Sequence, residues 1–134
     1  MKRIVRKVLQ SLGVSQGYFS VTFVSRQKIT ALNTQYLRHH FATDVLAFDL
    51  SDAASVSLKK KVSGDIIVSV DAALKQARAF ETSISYELIL YVVHGILHLM
   101  GYNDHRPADI KKIRRKENEI MNSLGSHVKT VVAR

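Results

Sequence analysis

The apolar residues of this chain recur with two different periods, and each period predicts one kind of element. Near the N-terminus they follow helical spacing and predict an amphipathic helix with one apolar face, formed by Ile4, Val5, Val8, Leu9 and Leu12. The next stretch, "GYFSVTFVS", alternates apolar and polar side chains, which is typical of a half-buried strand. Helical spacing returns in "RQKITALNTQYL" through Ile29, Leu32 and Tyr36. The first part of the chain therefore predicts helix, strand, helix.

Two short apolar runs in the middle of the chain predict two more strands. They are "DVLAFDL" and "GDIIVSV", which are rich in β-branched or aromatic residues. Between them, "SDAASVSLKKKVSG" is small, polar and basic, and this composition predicts an exposed connection.

Three helices are predicted in the second half. Asp71 is expected to cap the first, which runs to about Phe80 with an inward face of Ala73, Ala77 and Phe80. Ser83 or Ser85 is expected to cap the second, which is apolar on nearly all sides and ends near Met100, before a turn at Gly101.

The last predicted helix has Pro107 in its first turn and ends at Gly125. Its apolar stripe comprises Ile110, Ile113, Ile120, Met121 and Leu124. Residues 126–134 are expected to form a loose tail. The order of elements predicts an α+β or mixed α/β fold, and 134 residues are most simply one domain over 1–134.

The composition limits the possible metal ligands and indicates the charge of a binding partner. The chain has no cysteine, so any metal must be held by histidine, carboxylate or main-chain oxygen. Its formal net charge of +9 favours a polyanionic partner, with nucleic acid first and an anionic membrane second. The longest apolar run, Leu88 to Val93, is far too short to cross a bilayer, and the N-terminus lacks the apolar core of a signal peptide.

The stretch "HGILHLMGYNDH" carries the candidate chemistry. His94 and His98 are four residues apart and therefore project from one face of a helix, where both can reach one ion. Gly101 lets the chain turn back and bring His105 as a third ligand, and three ligands with an open position are typical of a catalytic zinc. The alternative is two hydrogen-bonded core histidines and a third on the surface; three in this arrangement favour the metal.

Two nearby residues refine this hypothesis. Zinc peptidases of the H-E-x-x-H type place their general base after the first histidine, where this chain has Gly95, so that protease mechanism is not expected. Glu87, seven residues before His94, either orients a ligand or supplies favourable charge in the first helical turn.

Three blocks of the chain resemble the YbeY family, metal-dependent endoribonucleases of ribosomal RNA maturation. "HGILHLMGYNDH" is similar to the family signature H-G-x-L-H-L-x-G-Y-D-H, "LNTQYLRHHFATDVLAF" to its upstream block, and "GDIIVSVDAA" to its G-D-I strand. They occur in family order between about Leu32 and His105. The resemblance implies an α+β fold, with a small mixed sheet and a zinc site at the end of a central buried helix.

The resemblance also implies a function. It implies one zinc per chain held by His94, His98 and His105, with His94 and Arg38 as the catalytic residues. The implied substrate is single-stranded RNA, including ribosomal RNA, with the ribosome as partner, the cytoplasm as location and no membrane. A zinc ion polarises a phosphoryl oxygen, and an arginine pairs with the nonbridging oxygens as charge develops.

The chain departs from the family pattern at several positions. One extra residue, Asn103 or Asp104, precedes His105, so the turn must bulge to keep a third histidine ligand in place. The family's arginine aligns with Leu37, and Arg38 lies one place on. One residue is about 100° of rotation on a helix, so Arg38 can substitute only if the helix ends there.

Further residues differ from the pattern or extend the RNA hypothesis. Ala42 and Ala47 replace the family's proline and serine. Basic residues at Lys2 to Lys7, Lys59 to Lys61 and Lys111 to Lys116 are candidates for binding the RNA backbone, or are simply solvated faces. Two other functions stay open: a ribosome-binding assembly factor whose metal only holds the fold, and a metallohydrolase of a non-nucleic substrate.

Overall fold

A computed structural model describes residues 1–14, 17–37, 44–50 and 62–132, and it describes only the backbone at 36, 37 and 126–132. Most of the predicted exposed connection, 51–61, lies outside these ranges, as does Arg38. Every predicted helix and strand is present: α1 Lys2–Ser11, β1 Phe19–Val24, α2 Arg26–Leu37, β2 Val45–Asp49, β3 Gly64–Ser69, α3 Val70–Phe80, α4 Ile84–Leu99 and α5 Pro107–Val132.

The three described strands form one mixed sheet in the order β1-β3-β2. Strand β3 is central and pairs parallel with β1, from Phe19 opposite Gly64 to Val24 opposite Ser69. It pairs antiparallel with β2, from Val45 opposite Val68 to Asp49 opposite Gly64. A small mixed sheet packed with helices is the α+β architecture that the resemblance implied, and that prediction is confirmed.

Helix α4 packs against β2, β3, α3 and α5 and is the centre of the fold. It is apolar on most sides because most of its sides face other elements. The fully buried core side chains around it are Ile66, Val68, Ile89, Val92, Val93, Ile96, Leu97 and Ile113. Burying one such side chain stabilises the fold by roughly 1.5–3 kcal/mol, so α4 is fixed in place mainly by apolar contacts.

Side-chain caps define where two of the helices begin. Helix α3 begins after Ser69, whose hydroxyl accepts a hydrogen bond from the Ala72 amide at 3.1 Å. The predicted cap at Asp71 is therefore wrong: its carboxylate accepts from the Arg26 amide at 2.6 Å and satisfies the first turn of α2. Ser83 caps α4 by accepting from the Tyr86 amide, which confirms one of the two serines proposed.

Two predicted inward positions lie on the surface. Phe80, the last residue of α3, is 70% exposed, and Ile110 in the first turn of α5 is 39% exposed. Both have the right periodicity, but each lies near a helix end. The rest of the predicted α5 stripe is buried.

The predicted end of α5 coincides with a break in its backbone. Gly125 has φ 14° and ψ −91°, and the chain is helical again up to Val132. In the described part of the chain, no single helix is long and apolar enough to span a membrane; α3 and α4 reach that length and composition only as a pair bent by 118°.

Candidate metal centre

The two histidines of α4 meet through their Nε2 atoms. His94 Nε2 and His98 Nε2 are 2.9 Å apart, and the two rings lie edge to face. The side chains are 18% and 29% exposed, so both imidazoles open toward solvent from a buried helix. The predicted convergence of these residues on one point is therefore confirmed.

A helix-terminating turn brings the next part of the chain back over this pair. The Gly101 amide donates to the His98 carbonyl and the Tyr102 amide donates to the Leu97 carbonyl, each at 3.0 Å. These two bonds, with a φ of 99° at Gly101, form a Schellman motif, for which glycine is the preferred residue. The predicted glycine turn is thus present, and the chain that follows it brings Asp104 to the histidines.

Asp104 is the residue that this turn places at the pair. Its Oδ2 atom lies 3.5 Å from His94 Nε2 and 3.4 Å from His98 Nε2. Among the described residues, this is the group with three metal-ligand atoms within 4.8 Å of one another. Bonds of 2.0–2.1 Å in a tetrahedral zinc site separate ligand atoms by about 3.3 Å, so the donor set fits a zinc ion.

His105, the third ligand expected from the sequence, is the next residue along the chain. Its side chain is exposed, and it is not part of the group formed by His94, His98 and Asp104. The extra residue in the turn accounts for this placement. Counted from His98, Asp104 now stands where the pattern that the chain resembles has its third histidine, and His105 comes one residue later. His105 as a ligand stays a prediction.

A carboxylate of helix α5, that of Glu117, contacts the second ring nitrogen of His94. Glu117 Oε2 lies 2.5 Å from His94 Nδ1, and the Glu117 side chain is only 3% exposed. An ionised carboxylate can only accept, so the proton of a neutral His94 is on Nδ1 and its Nε2 carries the lone pair. The second oxygen of Glu117 accepts from Arg114 Nη1 at 3.3 Å.

Glu117 was missed at the sequence level, although a signal for it exists. It lies in the buried stripe of α5 between Ile113 and Ile120, four residues after the first and three before the second. A charged residue inside an apolar stripe requires a buried partner. Glu87, the carboxylate considered instead, accepts from the Thr82 hydroxyl at 2.5 Å, near the start of α4.

The surroundings of His98 favour its neutral form. Burial lowers the pKa of His98 below its ordinary value, and the neighbouring His94 lowers it further, while Asp104 opposes both effects. A neutral imidazole is the form that binds a metal ion. His98 is therefore ready to act as a ligand at neutral pH.

A hydrogen bond joins Asp44, the residue before β2, to helix α4 near the two histidines. Tyr91, one turn before His94, donates its hydroxyl proton to Asp44 Oδ2 at 3.2 Å. Burial raises the pKa of Tyr91, with the Asp44 charge adding to the effect, so the hydroxyl stays protonated and remains a donor. Asp44 comes six residues after Arg38, whose own position lies outside the described residues.

Comparison with known proteins assigns the chain to a family. The model of the endoribonuclease YbeY family matches residues 1–125. An endoribonuclease YbeY of Salinibacter ruber is 33% identical over 127 residues, which cover 92% of this chain and 81% of the relative. One from an Anaeromyxobacter species is 37% identical over 117 residues, covering 87% of this chain and 59% of the relative. A solution structure from Thermotoga maritima superposes with a TM-score of 0.68 at 26% identity, over 96% of this chain and 81% of that one.

Proposed function

The chain belongs to the YbeY family of endoribonucleases, and on that premise we propose that it is a zinc-dependent endoribonuclease specific for single-stranded RNA. We propose ribosomal RNA as its substrate, the ribosome as its partner and the cytoplasm as its location, with roles in ribosomal RNA maturation and ribosome quality control. The observation that carries the proposal is the convergence of His94, His98 and Asp104 within 4.8 Å.

The proposed ion is one zinc per chain, held by His94, His98 and one group from the turn after Gly101. The family pattern favours His105 for that third position, and the geometry favours Asp104. When bound, zinc polarises a phosphoryl oxygen and lowers the pKa of a water molecule. The chain itself orients His94 through Glu117 and keeps His98 neutral.

Access and charge support an RNA substrate. The three candidate ligands are between 18% and 40% exposed, which a phosphodiester can reach and a closed structural site would not allow. The chain carries 20 Lys and Arg against 11 Asp and Glu, an excess that attracts the phosphate backbone. We propose Arg38 as the residue that pairs with the nonbridging oxygens, and His94 as the other catalytic residue.

The test combines metal analysis with a nuclease assay. If the proposal is right, purified protein contains about one zinc per chain and cleaves single-stranded RNA. A chelator is then expected to remove the zinc and to abolish cleavage. Cleavage is expected to return when zinc is restored. His98→Ala is the inactive variant, and Glu119→Gln, an exposed position on α5, is the matched control. Full cleavage by metal-free protein would rule out the proposed mechanism.

The same samples distinguish the two other functions. If the protein is an assembly factor with a structural metal, chelation unfolds it and His98→Ala loses its cooperative thermal transition. If it acts on a non-nucleic substrate, it does not bind single-stranded RNA at low salt. For the proposed nuclease, binding is expected to weaken as salt rises and duplex RNA to be cut more slowly than single strands.

A further inference from the structure

We propose that Glu117 is a positioning residue, which fixes His94 in the tautomer with its proton on Nδ1 and thereby directs the Nε2 lone pair to the metal. The inference rests on the proposed function in taking zinc as the ion at this site. It assigns a role to Glu117, a residue of α5 that lies 23 positions after His94 in the sequence.

The contact has the geometry of a carboxylate that orients a metal ligand. Glu117 Oε2 is 2.5 Å from Nδ1, on the side of the His94 ring opposite to the one that faces His98 and Asp104. Metal-binding histidines usually donate their second ring proton to such a partner, which fixes the tautomer and makes the ligand nitrogen more basic. His94 therefore has Nδ1 bound to Glu117, while its Nε2 atom faces His98 and Asp104, where the ion is proposed to bind.

The burial of Glu117 indicates that the contact is specific. A carboxylate that is 3% exposed is costly unless its oxygens have partners, and here Oε2 has His94 and Oε1 has Arg114. Arg114 lies one turn earlier on α5 and is 65% exposed, so its guanidinium holds the carboxylate from the solvent side. The neighbouring apolar residues Ile113 and Ile120 are buried and fix the rotation of α5 about its axis.

Helix α5 also provides a matched control residue for the experiment. Glu119 pairs with Lys116 three residues earlier, as Glu117 pairs with Arg114, but it is 66% exposed and has no contact with a candidate ligand. The variants are Glu117→Leu, Glu117→Gln and Glu119→Gln in the full chain. The readouts are zinc affinity by competition with a chelating dye and the tautomer of His94 by ¹⁵N chemical shifts in metal-free protein.

Glu117→Leu is expected to lower zinc affinity by about 10- to 100-fold and to allow both tautomers of His94. Glu117→Gln, whose amide oxygen still accepts from Nδ1, is expected to keep the tautomer but lower the affinity, because the ring loses a charged partner. Glu119→Gln is expected to match the original protein in both readouts. A purely structural role for Glu117 would lower thermal stability and leave affinity and tautomer unchanged.

The proposal is overturned if both Glu117 variants bind zinc as tightly as Glu119→Gln does. Should Glu117→Leu fail to fold, Glu117→Gln alone decides, since an unchanged affinity there has the same consequence. Neither readout uses RNA, so a chain that binds zinc through an oriented His94 but does not cut RNA would refute the proposed function and leave this inference standing.

Discussion

Gly95 of α4 lies directly against Ile66 of β3: a Cβ atom at residue 95 would stand 2.9 Å from the Ile66 Cγ2 atom. The two histidines are thus carried on a helix whose neighbouring side, at Gly95, touches the central strand. In zinc peptidases of the H-E-x-x-H type this position carries the general base. Here it faces the core, so the spacing of the histidines is retained while that base is sterically excluded.

The first prediction concerns this contact. Glycine to alanine in a helix interior normally stabilises by about 0.5–1 kcal/mol, but Gly95→Ala is expected to destabilise by about 1–3 kcal/mol, because Ile66 is fully buried and cannot move away. Urea unfolding measures the difference. Equal or higher stability of Gly95→Ala would show that the helix is not seated as described.

The second prediction identifies the third ligand. In the geometry described, Asp104→Asn is expected to lower zinc affinity strongly, since a neutral amide binds zinc poorly, and His105→Asn is expected to leave it near the original value. Zinc titration of the two variants, beside His98→Ala, measures this. The reverse order would identify His105 as the ligand and require the turn to shift by one residue when the metal binds.

The third prediction concerns pH. Because burial lowers the pKa of folded His98 below its value in the unfolded chain, the unfolded chain takes up the proton first as pH falls. The stability of the metal-free protein is therefore expected to decline as pH falls through about 6.5, and this loss is complete below the folded pKa. The measurement is unfolding free energy against pH, for the original protein and for His98→Asn. The prediction fails if the two curves run parallel below neutral pH.

The fourth prediction tests the bond between Tyr91 and Asp44. Tyr91→Phe removes the donor and is expected to cost about 0.5–1.5 kcal/mol, at the lower end because the bond is partly exposed. RNA cleavage is expected to fall as well, because Asp44 follows the segment that contains Arg38. Tyr86→Phe on the same helix is the control. Thermal unfolding and cleavage rates are measured together, and a change in neither would assign the bond no role.

The fifth prediction concerns the arginine. Arg38→Ala is expected to lower cleavage strongly while zinc content and thermal stability stay near the original values. Arg38→Lys is expected to recover only part of the activity, because an ammonium lacks the planar fork of the guanidinium. Arg78→Ala, an exposed arginine on α3, is the control. If cleavage by Arg38→Ala equals that by Arg78→Ala while His98→Ala is inactive, Arg38 has no part in the reaction.

The sequence by itself determined the elements and the pairing of the two α4 histidines. Helical periodicity, the serine before α4, Pro107 and Gly101 act within one turn of the backbone, so their consequences can be read locally. For the same reason His94 and His98 had to share a face. The alternating and β-branched runs likewise predicted three strands, and the resemblance supplied their arrangement in a mixed sheet.

Only the tertiary structure decided what completes the site. Glu117 reaches His94 because α5 packs on α4 with a particular rotation, and that rotation depends on how Ile113 and Ile120 fit the whole core. Asp71 accepts from the first amide of α2 rather than capping its own helix, because β1 and β3 bring the two helix starts together. Such contacts join residues distant in sequence, and local spacing carries no information about which distant side chains close packing will bring into reach.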